Sequence, residues 1–362
     1  MTIGIDASRA VKQIRTGVEQ YSWEVIQQLL RLDKTNKFIL YAPHNPRDPF
    51  PLGSRAEWCI IKQRRLWSQI GLARELKKSP PDVLFVPSHV IPFASRVPAV
   101  VTIHDTAYKY FPGSYSYAER NYLNFTTAVS IRRAKRVIVP STSTKRDVIK
   151  EYPESQNKIV VIPHGVDHVT FNPDIKADRP IKDPYVFFVG RIEDKKNVRL
   201  LVEAFALLAK ERKNIRLVLA GSNGYGFERV QQTIRALPKP VRDLILQPGY
   251  IPRYDLTRYL KHAHAFAFPS IYEGFGMPML EAMAIGTPVV CADGSSLPEV
   301  AGDAAVLLPP NNPLAWAAAL SRIINQPKVA DELRRKGFKQ AAKFTWEKTG
   351  QETLDTIIDV AA

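Results

Sequence analysis

Cysteine is almost missing from this 362-residue chain. Its two cysteines, Cys59 and Cys291, lie far apart, each inside an apolar, strand-like run (WCIIK and PVVCAD). Such a pair offers no disulfide framework and no clustered metal ligands, so buried, reduced thiols in a cytosolic protein are expected. Long apolar runs are missing too, and no stretch approaches the roughly 18 uninterrupted residues of a membrane span. The opening MTIGIDASRA enters a strand at once, with no basic segment ahead of an apolar one. A chain without an export signal, placed in the cytoplasm, is therefore expected. Short-period repeats and low-complexity tracts are absent, which leaves fibrous and repeat architectures without support.

What is present is globular: 45% hydrophobic and 10% aromatic residues, enough to build cores. The length exceeds one ordinary core and predicts two domains. Positive charge is in excess at +16, and it is uneven. Residues 1–179 hold 27 Lys and Arg against 16 Asp and Glu, and the remainder holds 24 against 19. A basic first half suits an anionic partner such as phosphate groups, an acidic membrane surface or nucleic acid. The competing reading is that clusters such as Arg132, Arg133, Lys135 and Arg136 form a solvated helix end, placed well for the helix dipole.

Along the chain, short apolar runs alternate with helical periodicity. Strands are predicted at 3–6, 38–41, 59–61, 83–86, 100–104, 136–139 and 159–162, then at 186–189, 217–220, 265–268, 289–291 and 306–308. Helices are predicted near 18–31, 66–78, 115–134 and 143–151, then near 197–210, 226–236, 254–261, 278–285, 313–325, 328–343 and 346–360. This alternation means βαβ units and parallel sheets, hence an α/β fold of two doubly wound, Rossmann-like domains. The segment 163–184, rich in Pro and Asp and poor in periodicity, reads as the linker. The expected division is 1–168 and 169–345, with 346–362 a helix that packs back on the first domain. Ligands are expected at the carboxyl ends of the strands, in the cleft between the domains.

The stretch YEGFGMPMLEAM, residues 272–283, carries most of the chemistry. A strand ends at Pro269, a loop runs through Gly274 and Gly276, and Pro278 suits the first turn of a helix because its missing N–H would be unpaired there. A strand, a glycine loop and a helix N-terminus make an anion site. Glu273 lies in the loop and Glu281 about one turn into the helix. Carboxylates accept hydrogen bonds from neighbouring hydroxyls, so two of them flanking a diphosphate could each hold a hydroxyl-rich ring, ribose on one side and hexose on the other. The competing reading makes Glu281 a helix-dipole partner and Glu273 a surface loop residue.

Three further stretches bear on this choice. In YVFFVGRIEDKKN, residues 185–197, Arg191 follows a strand directly, and Lys195 or Lys196 comes about one helical turn later. Such cations can neutralise a departing diphosphate, or can instead pair with Glu193 and Asp194 on the surface. VVTIHDTAY ends a strand with His104, either a ligand to a sugar hydroxyl or a structural hydrogen bonder. IRTGVEQY puts Gly17 at a helix start, a second phosphate-facing N-terminus.

Together, SIYEGFGMPMLEAMAIGTPVV, FFVGRIEDKKN, VIPHGVD, TIHD and TGVEQY resemble the retaining glycosyltransferases of family 4, with the GT-B fold and an E-x7-E motif. The matches run in order from residue 3 to about residue 325. The resemblance implies that Glu281 holds the ribose hydroxyls and that Glu273 contacts the donor hexose near O3 and O4. Backbone N–H groups of Phe275, Gly276 and Met277 would help hold sugar and diphosphate. Arg191 and Lys196 would bind the diphosphate, Gly17 would approach it from the first domain, and His104 would lie near the donor sugar C6 or the reacting face. It further implies no metal and no cofactor, a nucleoside diphosphate sugar as donor substrate, and retention by front-face attack with the departing phosphate as base. GDP-mannose is the favoured donor and UDP-glucose the next. The acceptor would be a glycan or a lipid-linked molecule of cell-surface polysaccharide or glycolipid synthesis.

This chain departs from several relatives at the first helix, where KQIRTGVEQ carries one glycine and they carry a double-glycine loop. The pair Lys195 and Lys196 leaves the diphosphate lysine to spacing, which favours Lys196. IPRYDL, residues 251–256, takes the place where relatives hold the base largely through backbone, so guanine and uracil are not told apart. A UDP-sugar epimerase or hydrolase would share the fold but lacks a reason for the E-x7-E loop. A non-enzymatic basic protein binding membranes or nucleic acid would explain the charge, yet no RNA-module signature is present, and no nucleic-acid partner is expected. An anionic membrane surface remains a possible partner through Arg64, Arg65, Lys77 and Lys78 around LWSQIGLAREL, with Trp67 and Ile70 as interfacial anchors. The alternative there is an amphipathic helix that packs on its own sheet.

Overall fold

The computed structural model describes residues 1–46, 53–88 and 90–362. It forms two compact units. The first comprises Met1–Lys109, Tyr117–Gly165 and Trp346–Ala362, and the second Tyr110–Ser116 and Val166–Thr345.

The first unit holds seven strands: β1 (Thr2–Asp6), β2 (Lys37–Ala42), β3 (Ala56–Ile60), β4 (Val83–Val86), β5 (Ala99–Thr102), β6 (Arg136–Val139) and β7 (Ile159–Val161). They lie parallel in the order β3-β2-β1-β4-β5-β6-β7. The second unit holds β8 (Tyr185–Val189), β9 (Arg216–Ala220), β10 (Ile245–Gly249), β11 (Ala265–Phe268), β12 (Val289–Ala292) and β13 (Ala305–Leu308). These are also parallel, in the order β10-β9-β8-β11-β12-β13.

Continuous apolar strands such as YVFFV, AFAF and VVCA dictate this outcome. A strand apolar at every position must be covered on both faces, which a parallel sheet between helical layers provides. All four residues of β11 and of β12 are buried. Helix Val198–Glu211 packs against Pro313–Asn325, and Met277–Ile285 packs against Pro327–Ala341 and Arg253–His262. Cys291 sits inside β12, and burial pushes its thiol up to about 12. Both cysteines are free.

Several elements differ from the sequence reading. Strand β10, ILQPG, was not predicted: only Ile245 is buried, Pro248 and Gly249 end it, and the pairing shifts between Leu246 and Gly249. It lies at the sheet edge, where a proline is tolerated and a clear alternation is not required. The segment predicted as a linker is pinned to the second unit from Val166 onward. Phe171 is fully buried in that core, and Lys261 Nζ and His262 Nε2 bond to the carbonyls of Pro173 and Ala177 at 3.2 and 2.8 Å. Helix Trp346–Ala361 packs on Gly17–Leu32 in the first unit.

The stretch around Trp67 is a π-helical turn, Trp67–Leu72, running into the helix Ala73–Lys78. Trp67 packs against the core that contains Leu72 and Leu76, and its Nε1 donates to the Ile61 carbonyl at 3.1 Å. Trp67 is thus part of its own unit and is not an exposed anchor, whereas Arg64, Arg65, Lys77 and Lys78 are exposed. The cluster 132–136 is a helix end: Lys158 Nζ donates to the Ile131 and Arg132 carbonyls at 3.2 and 2.8 Å, and Arg133 Nη1 to Ser95 O at 2.6 Å. Among the described residues no helix is long and apolar enough to cross a membrane.

Candidate active site

In the second unit the strand order reverses between β8 and β11, which are hydrogen-bonded neighbours. Loops leaving the carboxyl ends of two such strands diverge and leave room for a ligand. The two motifs occupy those loops: Arg191 and Lys196 follow β8, and Glu273 follows β11.

The Lys196 ammonium meets the Glu273 carboxylate directly, and it also lies 5.5 Å from the centroid of the Phe268 ring. Ser270 Oγ donates to Glu273 Oε1 at 2.6 Å. Both charged side chains are largely buried, at 15% and 13% exposure. Lys195 instead turns to Glu193, 3.5 Å away, and Asp194 is held by Arg229. The surface pairing considered for Lys196 is therefore not found, and of the two lysines it is Lys196 that joins Glu273. Arg191 is 63% exposed, and its one ion-pair approach among the described residues is to Glu193 at 3.9 Å. Its guanidinium is largely uncommitted.

Backbone geometry fixes the Glu273 loop from a third strand. Ser295, after β12, adopts φ 54. Its Oγ bonds to both the N–H and the carbonyl of Glu273, at 3.2 and 2.6 Å, and Ser296 Oγ donates to the same carbonyl at 2.9 Å. Sequence reasoning missed Ser270, Ser295 and Ser296. The available signal was their position just past strands at the same carboxyl edge.

Gly276 begins the next helix, Met277–Ile285, with φ 103, and a Cβ there would lie 2.8 Å from Leu297 Cδ2. Only a residue without a side chain takes that conformation freely. The N–H groups of Gly276 and Met277 precede the bond from Met279 N–H to the Gly276 carbonyl, 3.0 Å. Phe275 is not turned outward: it is 5% exposed and meets Phe344 edge-on at 5.7 Å. Any ligand contact by Phe275 would be through its backbone.

Glu281 is 7% exposed. Its Oε1 accepts from Arg253 Nη1 at 2.6 Å, so Glu273 and Glu281 have separate partners. Burial raises the Glu281 pKa, and the Arg253 guanidinium opposes that rise. Arg253 comes from the IPRYDL stretch and was not singled out by sequence.

Gly17 and His104 lie in the first unit. Gly17 opens the helix Gly17–Leu32, whose first turn is already answered by Glu19: its Oε2 accepts from the Thr16 N–H at 3.3 Å, and its Oε1 pairs with Arg9 and Lys12. That capping box satisfies part of the positive end that was read as a phosphate site. His104 follows β5, is buried, and its Nε2 donates to the Pro87 carbonyl at 2.8 Å. That bond crosses from the end of β5 to the end of β4. The ring meets Tyr21 edge-on at 4.8 Å and lies 5.4 Å from the ring of His164, whose pKa burial lowers well below the usual range, with His104 adding to the drop. Among the described residues no three His, Cys, Asp or Glu side chains are grouped to hold a metal ion.

Two family models match the chain, Glycosyltransferase Family 4 over residues 15–169 and Glycosyl transferases group 1 over residues 172–340. The O-antigen chain mannosyltransferase B of Escherichia coli is 27% identical over 376 residues, which cover 97% of this chain and 98% of that one. HepE of Anabaena, solved with UDP and glucose, has a TM-score of 0.76 at 16% identity and covers 99% of this chain and 100% of its own. Sucrose-phosphate synthase of Thermosynechococcus elongatus has a TM-score of 0.75 at 19% identity, with 97% of each chain covered. At such identities the structural likeness speaks for the fold, which is GT-B: two α/β units built on parallel sheets. With the two family models together accounting for residues 15–169 and 172–340, the chain belongs to the glycosyltransferases of the family 4 type.

Proposed function

We propose that this glycosyltransferase is a retaining, metal-independent hexosyltransferase that moves a hexose from a nucleoside diphosphate sugar to a glycan or lipid-linked acceptor. The observation that carries the proposal is the contact of Lys196 with Glu273 where the strand order reverses, in the loop that Arg191 opens. A cation and a carboxylate in one small site suit a ligand with a diphosphate at one end and hydroxyls at the other. Lys196 and Arg191 would take the diphosphate and neutralise the charge that develops as it leaves. Glu273 would take the hexose hydroxyls near O3 and O4, and Glu281 the ribose hydroxyls. The Gly276 and Met277 N–H groups would add to the diphosphate site, and His104 would face the sugar near C6.

In this scheme the sugar–phosphate bond breaks first towards an oxocarbenium-like state. The acceptor oxygen attacks from the face the phosphate leaves, and the departing phosphate takes the acceptor proton. No side chain becomes covalently attached. Mannose as the sugar is supported by the likeness to an O-antigen chain mannosyltransferase over nearly the whole chain. UDP-glucose is the second reading, supported by the UDP and glucose bound to HepE. Slow hydrolysis of a panel of nucleoside diphosphate sugars tests the proposal: GDP-mannose is expected to be consumed fastest, in EDTA as well as without it. Absence of turnover on the whole panel, or activity lost in EDTA and restored by a divalent metal, would defeat it.

Glu281→Ala is expected to weaken nucleoside diphosphate binding roughly tenfold or more, since a hydrogen bond to a charged group contributes about 1.5–3 kcal/mol. Calorimetry checks this, and unchanged affinity would remove Glu281 from the site.

A further inference from the structure

Glu281 is buried, yet only one of its oxygens is engaged. Oε1 holds Arg253, while Oε2 has no protein donor among the described residues. A carboxylate oxygen on a side chain only 7% exposed, with no protein donor of its own, is available to hydroxyls brought by a ligand. Arg253 is fixed on three sides. Its guanidinium lies 4.7 Å from the centroid of the fully buried Phe171 ring, Nη1 is 2.6 Å from Glu281, and Nη2 is 3.8 Å from Asp167 Oδ2. Asp167 is itself held, its Oδ1 accepting from the N–H groups of Val169 and Thr170 at 3.1 and 3.0 Å.

We propose that Arg253 is the positioning residue of the donor site, drawing Glu281 Oε1 to itself so that Oε2 is presented to the vicinal hydroxyls of the donor's ribose. The proposal rests on the reading of Glu281 as the ribose carboxylate. A planar guanidinium seated on an aromatic ring and anchored by a second carboxylate has little freedom, so it sets the carboxylate plane better than a lysine could. Asp167 belongs to the PHGVD stretch, which gives that motif a role: it ties the start of the second unit to the donor carboxylate through Arg253.

The arrangement also bears on charge. Burial favours the protonated form of Glu281, Arg253 favours the ionised form, and Asp167 works against ionisation. Of the other charged groups on the packed elements, Asp255 pairs with Arg258, Lys261 and His262 with linker carbonyls, Arg334 with Asp331 and the Gly286 carbonyl, and Lys336 with Asp303 and Glu332, while Lys328, Arg335 and Lys339 are exposed to solvent. Glu299 lies on the neighbouring helix Leu297–Ala301. Removing the Arg253 charge therefore moves the protonation of Glu281 to higher pH, and ribose binding is lost as pH falls through that range.

The test uses the whole chain and calorimetric titration with GDP, UDP and their 2′-deoxy counterparts between pH 6 and 8.5. The wild type should prefer the ribo form of its nucleotide by about tenfold or more. Arg253→Met, which keeps an apolar stem over Phe171, should lose most of that preference at pH 6 and regain part of it at pH 8.5. Arg253→Lys, which keeps the charge but not the planar fork, should remove the pH dependence while restoring only part of the preference. Equal weakening of ribo and deoxy forms at every pH, or a preference that survives in Arg253→Met, overturns the proposal. If Glu281→Ala leaves ribo and deoxy affinities unchanged, the ribose reading of Glu281 fails and takes the role of Arg253 with it. If Glu281→Ala abolishes the preference while Arg253→Met does not, only the role of Arg253 fails.

Discussion

Lys196→Ala is expected to lower kcat roughly 10²–10³-fold, the range seen when one charge-stabilising group is removed from a developing anion. The effect should fall on kcat more than on donor affinity, because the diphosphate carries more negative charge as it departs than in the bound donor. The same substitution leaves the largely buried Glu273 carboxylate with Ser270 as its remaining side-chain partner. Breaking one side of a buried pair costs about 3–5 kcal/mol, so thermal unfolding must be measured alongside turnover. Lys196→Ala and Glu273→Ala touch one contact, and their effects on stability should be strongly non-additive. Steady-state kinetics in folded Lys196→Ala decides the matter: kcat within a few-fold of wild type would rule Lys196 out as the group that stabilises the leaving diphosphate.

A second large effect is expected at Gly221, for a steric reason. Gly221 follows β9 with φ 138, and a Cβ there would stand 1.9 Å from the carbonyl oxygen and 2.7 Å from the carbonyl carbon of Gly190. Both obstructing atoms are backbone, so no side chain can swing away. Strain at such a φ costs about 1–3 kcal/mol, and forced overpacking about as much again. At about 2–4 °C per kcal/mol for a unit of this size, Gly221→Ala should lower Tm by roughly 5–20 °C. Gly190 leads directly into Arg191, so relief of the clash displaces the loop that carries Arg191, and on the proposed function donor binding should weaken with stability. Gly53, whose Cβ would meet nothing within 4 Å, is the control: Gly53→Ala should stay within about 0.5 kcal/mol of wild type. Calorimetric unfolding of the two variants reads both outcomes, and a Gly221→Ala protein as stable as the control would contradict the close approach of the two loops.

Much of the architecture was legible in local sequence because its causes are local. YVFFV, AFAF and VVCA admit only a strand covered on both faces, and the loop through Gly274 and Gly276, with Pro278 in the first helical turn, marks a helix start. Alternation of such elements implies parallel sheets, and carboxyl-end loops then become the place to look for a ligand. The edge strand β10 escaped because its burial is confined to Ile245, so no periodic pattern is imposed on it. Whether Trp67 is an interfacial anchor or packs on its own sheet stayed open in the sequence, because the identity of an amphipathic side chain does not say which surface it covers. That depends on the sheet beneath it.

The site divides along the same line. Residue types and spacing alone singled out Glu273, Glu281, Arg191 and Lys196, since charged groups just past apolar strands have no local structural purpose. Which of them touch was decided only by the sheet, which brings β8, β11 and β12 side by side across about a hundred residues of sequence. Only that packing joins Lys196 to Glu273 while Lys195 turns to Glu193, clamps Glu273 with Ser295 and Ser296, and delivers Arg253 and Asp167 to Glu281. The sequence determined which chemical groups the chain carries and that they leave the carboxyl ends of strands. Their pairing was left to tertiary structure, because a hydrogen bond depends on ångström distances between side chains that share no local pattern.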